Sequence, residues 1–424
     1  MRVSFYTIGC RLNQSETAVL EQSFCNNGYA IVDFADGADV VVINTCTVTE
    51  KGDAETRKVI NRAIRSNPAA QVALIGCQSQ TQKEALFALP NVQWIVGNER
   101  KMELPAIVRD TYAAPPQLIT PNVRRASFTL PAAGIDPHHT RANLKIQDGC
   151  DFFCTFCEIP YARGRARSRV FDDIVRKAHE LAAHHREVVL TGVNIGTYEY
   201  EGRTLLDVVD AVSEIEGIER IRISSVEGVT LEPELFERMN HGKLCRHLHI
   251  SIQSAQDDIL QAMNRRYTTA EFLSLLNKAV RSVDGICLGT DVIVGFPGET
   301  DERFEETYRN LREMPLAYFH VFSYSERSHA KSRKLGDKVP PQVIEARSRK
   351  LRELSARKRR LFFEKNVGSV QTVLFEQAKN GWWSGLTDHY IRVQVKSGEQ
   401  LHNRLLPVKL TQINNQSMIG TLDV

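Results

Sequence analysis

The sequence predicts an α/β protein in three parts: an N-terminal parallel α/β domain, an open (β/α)6 partial barrel and a small C-terminal β-barrel. Three observations carry this reading. Short β-branched runs alternate with one-faced helical patterns over residues 1–112; the alternation resumes at residue 142 and passes through six strands; and from residue 368 helical patterns give way to short strands broken by Gly and Asn. The 424 residues and 42% hydrophobic content are enough for two or three packed cores.

In the first part the runs "VSFYTIGC", "ADVVVINTC" and "QVALIGC" each end in a cysteine. Between the last two, "AETRKVINRAIR" carries Val59, Ile60, Ala63 and Ile64 at the spacing of a one-faced helix, which is βαβ order and implies a parallel sheet. Ligand sites of such sheets lie beyond the carboxyl ends of the strands, so Cys10, Cys46 and Cys77 are expected to converge on one rim. A lone cysteine at a strand end is commonly core; three in the same topological position are hard to explain by packing. Cys25, Cys245 and Cys287 share no such position and are expected to be inert buried thiols. A Pro-rich polar stretch at 113–141 reads as an interdomain connection; His138 and His139 in it are candidate metal ligands, but with nothing nearby to complete a site they read as solvated residues.

The second part, 142–367, contains the strand patterns "NLKIQDGC", "EVVLTGVN", "RIRISSVEG", "HLHISIQS", "ICLGTDVIVGFPGET" and "AYFHVFSYS", separated by helices. Six units are too few to close an eight-stranded barrel, and an open one has room for a large substrate. Polar residues cluster where the strands end: Thr191 and Asn194, Ser225 and Glu227, Ser251 and Gln253, and Asp291. Single ones serve as helix caps; repetition over four strands marks a site on the face where such folds keep their chemistry.

The stretch "DGCDFFCTFCEIPYARGRARSR" places Cys150, Cys154 and Cys157 four and three positions apart. Zinc sites commonly pair one C-x-x-C with another, and this chain has no second. A 4Fe–4S cluster held by three cysteines instead leaves one iron open for a small ligand. Nine cysteines without a secretion signal favour reduced thiols and metal ligation over disulfides. There is no apolar run of about 18 residues and no signal-peptide pattern, so a cytoplasmic location is expected.

With a net charge of +3, a nucleic-acid partner must be met by local basic patches. Residues 345–365 carry nine Lys or Arg against three Glu on a predicted helix, including Arg357, Arg359 and Arg360, and Arg163, Arg165, Arg167 and Arg169 follow the cysteine motif. Taken alone, such a helix is equally a solvated connector, and some of the motif arginines are candidates for ion pairs within the barrel. In the tail, 368–424, Trp382, Trp383 and Tyr390 are candidates for stacking on unpaired bases, with core packing the alternative for a tryptophan.

The C-x3-C-x2-C motif after the first strand of a (β/α)6 array, with Phe156 before the third cysteine and "VIVGFPGET" further on, resembles the radical S-adenosylmethionine (SAM) superfamily. The whole chain resembles a narrower family, the methylthiotransferases, built from an N-terminal three-cysteine domain, a radical SAM domain and a C-terminal TRAM domain. "TIGCRLNQSET" is similar to the branch that modifies N6-threonylcarbamoyladenosine in tRNA. Three departures stand out: Glu158 replaces an uncharged residue, Ala255 a glycine, and "SERSHAKS" lacks the usual Pro-Gly-Thr at Ser328.

The resemblance implies two 4Fe–4S clusters, one on Cys150, Cys154 and Cys157 whose open iron chelates SAM, the other on Cys10, Cys46 and Cys77. It implies SAM contacts from Phe156, Gly192, Asn194, Ser225, Glu227, Ser251, Gln253 and Asp291, and assigns no catalytic residue beyond the cluster ligands. It implies sulfur methylation by one SAM on the second cluster and a 5′-deoxyadenosyl radical from another. The C2–H of adenine is too weakly acidic for a side-chain base at neutral pH, which accounts for radical chemistry. The implied partners are a tRNA anticodon stem-loop and an electron donor such as flavodoxin or ferredoxin, with the protein a monomer. Alternatives are action on isopentenyladenosine in tRNA or on a ribosomal-protein aspartate, and a non-enzymatic zinc RNA-binding protein.

Overall fold

The structure is a computed structural model that describes residues 1–47, 50–136 and 139–422; His138 lies outside them. The N-terminal unit is a six-stranded parallel sheet in the order Ala30–Ile31, Arg2–Thr7, Val40–Thr45, Gln71–Gly76, Val92–Val96 and Gln117–Ile119. Val40 and Val42 pack into one core and Val41 and Ile43 into another, so the central strand is buried on both faces. This double burial is why the strand reads as a continuous apolar run. The sixth strand comes from the stretch read as a connection, where Leu130, Ala132 and Ala133 are also buried. That stretch is thus partly built into the fold.

The middle unit has six parallel strands. Arg141–Lys145, Glu187–Thr191 and Arg220–Ile223 form one set, and His247–His249, Cys287–Val294 and Tyr318–Ser323 the other. Parallel bridges at Ile221 with Leu244 and Val226 with Ile250 join them into one curved array. Among the described residues no pairing links the first strand to the last, so the barrel is open at that edge. The connecting helices start where the sequence supplies caps: Thr204 with Asp207, and Thr268 with Glu271, each form a capping box. The basic helix Pro341–Glu364 is docked on the last strand, where Ser355 Oγ accepts from Phe319 N at 2.9 Å and donates to its carbonyl at 2.7 Å.

The C-terminal unit is five strands whose pairings run in a closed ring: Val370–Lys379, Trp382–Thr387, Arg392–Lys396, Ser417–Thr421 and Leu405–Asn414. It sits on the partial barrel. Arg222 donates to the carbonyls of Thr387 and Asp388 at 3.1 and 2.8 Å, Arg220 to those of Thr372 and Leu386 at 2.6 and 3.1 Å, and Arg246 pairs with Asp388 at 2.7 Å. Among the described residues no helix is long and apolar enough to cross a membrane.

Candidate active site

Each cysteine of the N-terminal set follows a strand of the sheet. Cys10 stands at the start of the helix Arg11–Asn26, Cys46 is the residue after Val40–Thr45, and Cys77 opens the short helix Cys77–Gln82. Glycines permit the approach. Gly9 has φ 111°, and a Cβ there would stand 2.9 Å from the Cβ of Cys46 and 3.1 Å from its Sγ. Gly76 has φ 93°, with Asn44 Oδ1 2.5 Å from where a Cβ would be. Asn13 Nδ2 donates to the carbonyls of Ile8 and Thr45 at 2.7 and 3.1 Å, tying the strand ends before Cys10 and Cys46 together. Asn98 Nδ2, fixed by the Ala162 carbonyl at 2.7 Å, lies 4.0 Å from Cys77 Sγ. Burial raises the Cys77 thiol above its usual range.

The second set occupies the loop beyond the first barrel strand. Burial pushes the Cys150 thiol up to about 11 and the Cys157 thiol up to about 12, each further raised by its cysteine neighbours. Arg265 Nη1 donates to Cys154 Sγ and the Ile159 N–H to Cys157 Sγ, both at 3.4 Å. Arg265 is itself held by a tight ion pair with Glu227 and by the Tyr267 hydroxyl. Among the described residues no three Cys, His, Asp or Glu side chains converge closely enough on a single metal ion. Three thiols that each take a different iron of a cluster need no such convergence, and backbone and guanidinium donors to sulfur suit that tenant.

Two cavities share Asp291 in their linings, one touching Cys10 and the other Cys157. One, of about 390 Å³, fills the barrel interior and is bordered by Cys10, Arg11, Gly192, Ser225, Asp291 and Tyr390. The other, of about 210 Å³, is bordered by Phe156, Cys157, Gln253, Asp291, Ile293 and Tyr324. Asp291 faces both. Burial pushes its carboxyl up, and His249 Nε2 at 3.0 Å with the Ser251 hydroxyl at 3.0 Å pulls it further down, below the usual range. Of the predicted SAM contacts, Asn194, Glu227 and Ser251 border neither cavity. Asn194 is buried and accepts from Thr230, Glu227 is engaged by Arg265, and Ser251 orients Asp291.

The arginines after the motif divide. Arg163 is 1% exposed and bonds Glu16, Asp148 and Asn13; Arg169 is 1% exposed and pairs with Asp173 at 2.7 Å. Neither reaches RNA, because each neutralises a buried carboxylate. Arg167 is mostly covered, between Asp148 and Glu99, while Arg165 is exposed over the Phe153 ring. On the basic helix Arg357 and Arg360 are exposed, and Arg359 lies over Tyr318 at 5.0 Å. In the tail Trp382 is exposed. Trp383 is core, its Nε1 donating to the Glu399 carbonyl at 2.8 Å. Tyr390 is half-buried inside the partial barrel, where it stacks on His247, centroids 4.2 Å apart, and borders the larger cavity. Cys245 and Cys287 are buried, whereas Cys25 is exposed, contrary to expectation.

Two of the departures touch each other. Glu158 accepts from Ser328 Oγ at 2.9 Å and His329 N at 3.0 Å, and also from Thr47 Oγ1 at 2.8 Å, the residue after Cys46. The Ser-His sequence thus supplies two of the donors to this carboxylate, beside Thr47 and an ion pair with Arg327 at 3.4 Å. Ala255 is buried and gives its carbonyl to Asn310 at 2.8 Å. Sequence reasoning missed Arg11, Arg222, His247, His249 and His320. The signal was present: "RIRI" and "HLHI" place polar residues at every second position of barrel strands, the inward face.

Residues 144–311 match the radical SAM superfamily and residues 2–97 match the uncharacterized protein family UPF0004. Fold and site thus define the class, a radical SAM enzyme carrying an N-terminal three-cysteine domain. The threonylcarbamoyladenosine tRNA methylthiotransferase MtaB of Bacillus subtilis (strain 168) is 37% identical to this chain, covering 96% of it and 93% of the relative. That of Aquifex aeolicus (strain VF5) is 39% identical, covering 93% and 96%. The tRNA-2-methylthio-N(6)-dimethylallyladenosine synthase of Geobacillus thermodenitrificans (strain NG80-2) is 29% identical over 98% of this chain and 82% of its own. The chain belongs to the methylthiotransferase family, in the threonylcarbamoyladenosine tRNA methylthiotransferase branch. Among solved structures, the radical S-adenosylmethionine methyltransferase TsrM from Kitasatospora setae shares the fold, with a TM-score of 0.55 at 16% identity over 76% of this chain and 72% of that one.

Proposed function

We propose that this enzyme converts N6-threonylcarbamoyladenosine at position 37 of tRNA to its 2-methylthio derivative. The observation that carries the reading is that Asp291 borders two cavities, one of which meets Cys10 and the other Cys157. A base in the larger cavity lies between the two cysteine sets. Loaded on Cys150, Cys154 and Cys157, a 4Fe–4S cluster with SAM supplies hydrogen-abstracting chemistry, and a second cluster on Cys10, Cys46 and Cys77 supplies the sulfur.

The chain's own residues hold and shield these groups. Phe156, Ile293 and Tyr324 give the smaller cavity an apolar wall that keeps water from reactive species. Glu227 and Tyr267 fix the Arg265 guanidinium against Cys154, and His249 with Ser251 fixes the Asp291 carboxylate between the cavities.

A groove of about 930 Å³ runs from the C-terminal barrel to the helix Arg11–Asn26 and is bordered by Lys379, Trp382, Arg392 and Arg11. We read the barrel as a TRAM-type module on which Trp382 stacks against an unpaired base of the anticodon stem-loop, with Arg165, Arg357 and Arg360 toward phosphates. The reaction then belongs in the cytoplasm, carried out by a monomer with flavodoxin or ferredoxin as electron donor. The test is mass spectrometry of nucleosides from tRNA of a deletion strain. Loss of 2-methylthio-N6-threonylcarbamoyladenosine, restored by the gene, is the expected result, and loss of the isopentenyl analogue alone overturns it. Anaerobically purified protein is expected to hold about eight irons; zinc in their place would favour the scaffold reading.

A further inference from the structure

Arg11 follows Cys10 directly and borders both the groove and the larger cavity. The other arginines lining these two spaces are engaged. Arg222 pairs with Glu187 at 2.7 Å, and Arg141 and Arg392 share Glu376 at 2.7 and 3.0 Å. The Arg11 guanidinium forms no ion pair among the described residues; its hydrogen bond goes to the Tyr390 hydroxyl at 3.5 Å. Arginine presents five donors in a fixed fork, so most of this one's capacity faces open space.

The other charged groups of the cavity, Arg222 and Asp291, have partners, and much of the remaining lining is aromatic. His247 stacks on Tyr390 at 18° and meets the Tyr318 hydroxyl at 2.9 Å. Burial, with Arg222 and the neighbouring histidine adding to it, holds His247 uncharged. Burial would raise the Tyr390 hydroxyl, yet Arg11, Arg141 and Arg222 together draw it below its ordinary range. The cavity carboxylate, Asp291, is taken up by His249 and Ser251. What the space offers a ligand is therefore ring surface and one unsatisfied guanidinium beside Cys10.

We infer that Arg11 grips the carboxylate of the threonyl group on the substrate's N6 and so selects that substrate. The inference rests on the substrate proposed above. A threonylcarbamoyl substituent ends in a carboxylate, which a guanidinium binds through two parallel hydrogen bonds; an isopentenyl substituent is hydrocarbon and gives Arg11 nothing. Sites built to bond a polar group reject analogues that lack it, since the buried partner is then left unpaired.

The test uses the full-length, iron-reconstituted protein and anticodon hairpins carrying N6-threonylcarbamoyladenosine, its methyl ester, or isopentenyladenosine, with affinity read by fluorescence anisotropy. Wild-type protein is expected to prefer the acid over the ester by on the order of ten- to a hundredfold, the range of a charged hydrogen-bond pair. Arg11→Gln is expected to bring that ratio toward one by loss on the acid hairpin. An unchanged ratio in folded Arg11→Gln protein overturns the assignment while the substrate reading stands. Wild-type protein that ignores the carboxylate overturns the assignment alone, and wild-type protein that prefers the isopentenyl hairpin overturns both. If Arg11→Gln does not fold, the ratio is read in Arg11→Lys, where a lowered value supports the forked contact and a wild-type value overturns it.

Discussion

Replacing Glu16 by Gln removes one charge, and little volume, from a buried ionic cluster. Glu16 is wholly buried on the helix Arg11–Asn26 and meets Lys101 at 2.5 Å, Lys145 at 2.7 Å and Arg163 at 2.9 Å. Burial would raise its carboxyl, but Arg163, Lys101 and Lys145 hold it well below the ordinary range. Asp148 remains to serve Lys145 at 2.6 Å and Arg163 at 3.0 Å, so the cation stranded by the change is Lys101, left with Asn98 Oδ1 at 2.7 Å. Breaking one side of a buried pair costs about 3–5 kcal/mol, most of it the charge left behind. Because Lys145 and Arg163 belong to the partial barrel, the loss is expected in the seating of the helix that begins beside Cys10. Hydrogen exchange along Arg11–Asn26 measures it as a lowered opening free energy. Adding Lys101→Met, which removes the stranded charge, is expected to recover most of the loss. An opening free energy within about 1 kcal/mol of wild type in Glu16→Gln would refute the reasoning.

Alanine at Cys150, Cys154 and Cys157 is expected to abolish cleavage of SAM to 5′-deoxyadenosine, while alanine at Cys10, Cys46 and Cys77 leaves some cleavage and stops sulfur insertion; equal loss in two folded proteins would dismiss the division. Trp382→Ala is expected to cost about 1–3 kcal/mol of tRNA affinity without unfolding, whereas Trp383→Ala costs about 3–5 kcal/mol of barrel stability, a contrast read by thermal melts beside binding. Neutralising Arg357 and Arg360 is expected to flatten the dependence of log affinity on log salt by up to about two, and an unchanged slope makes the helix a solvated connector. Glu187 and Asp388, which Arg222 and Arg246 help hold charged, have depressed values, so their contribution to docking the C-terminal barrel is complete above the ordinary carboxylate range, about pH 4–4.5, and fades as pH falls below it. Limited proteolysis at pH 7 and at about pH 2.5, well inside that window, checks this, with release of the barrel expected in acid and Glu187→Gln expected to weaken the difference.

The placing of Cys10, Cys46 and Cys77 after strand ends was legible because strand periodicity alone puts the ends of parallel strands on one rim, whereas Cys150, Cys154 and Cys157 stood out by their spacing. Partnership was not legible. "RGRARSR" shows four positive charges, and nothing local reveals that Glu16, more than a hundred residues earlier, neutralises Arg163. For the same reason Glu16 and Lys101 look like surface residues in the sequence. Trp382 and Trp383 are neighbours on one strand and necessarily point to opposite faces, so one had to be core, though not which. The depth of Tyr390 depends on how two separate units dock, a relation no periodicity carries.

The turn holding Asp388 and Tyr390 reaches from the last unit into the interior of the middle one, where Tyr390 completes the wall next to Cys10. During synthesis the units emerge in order and fold largely as they appear. A nascent chain therefore holds both cysteine sets before its cavity has a finished side. Iron and sulfide have their widest access in that interval, and the arrival of the final barrel narrows it to the cavity that Cys10 borders.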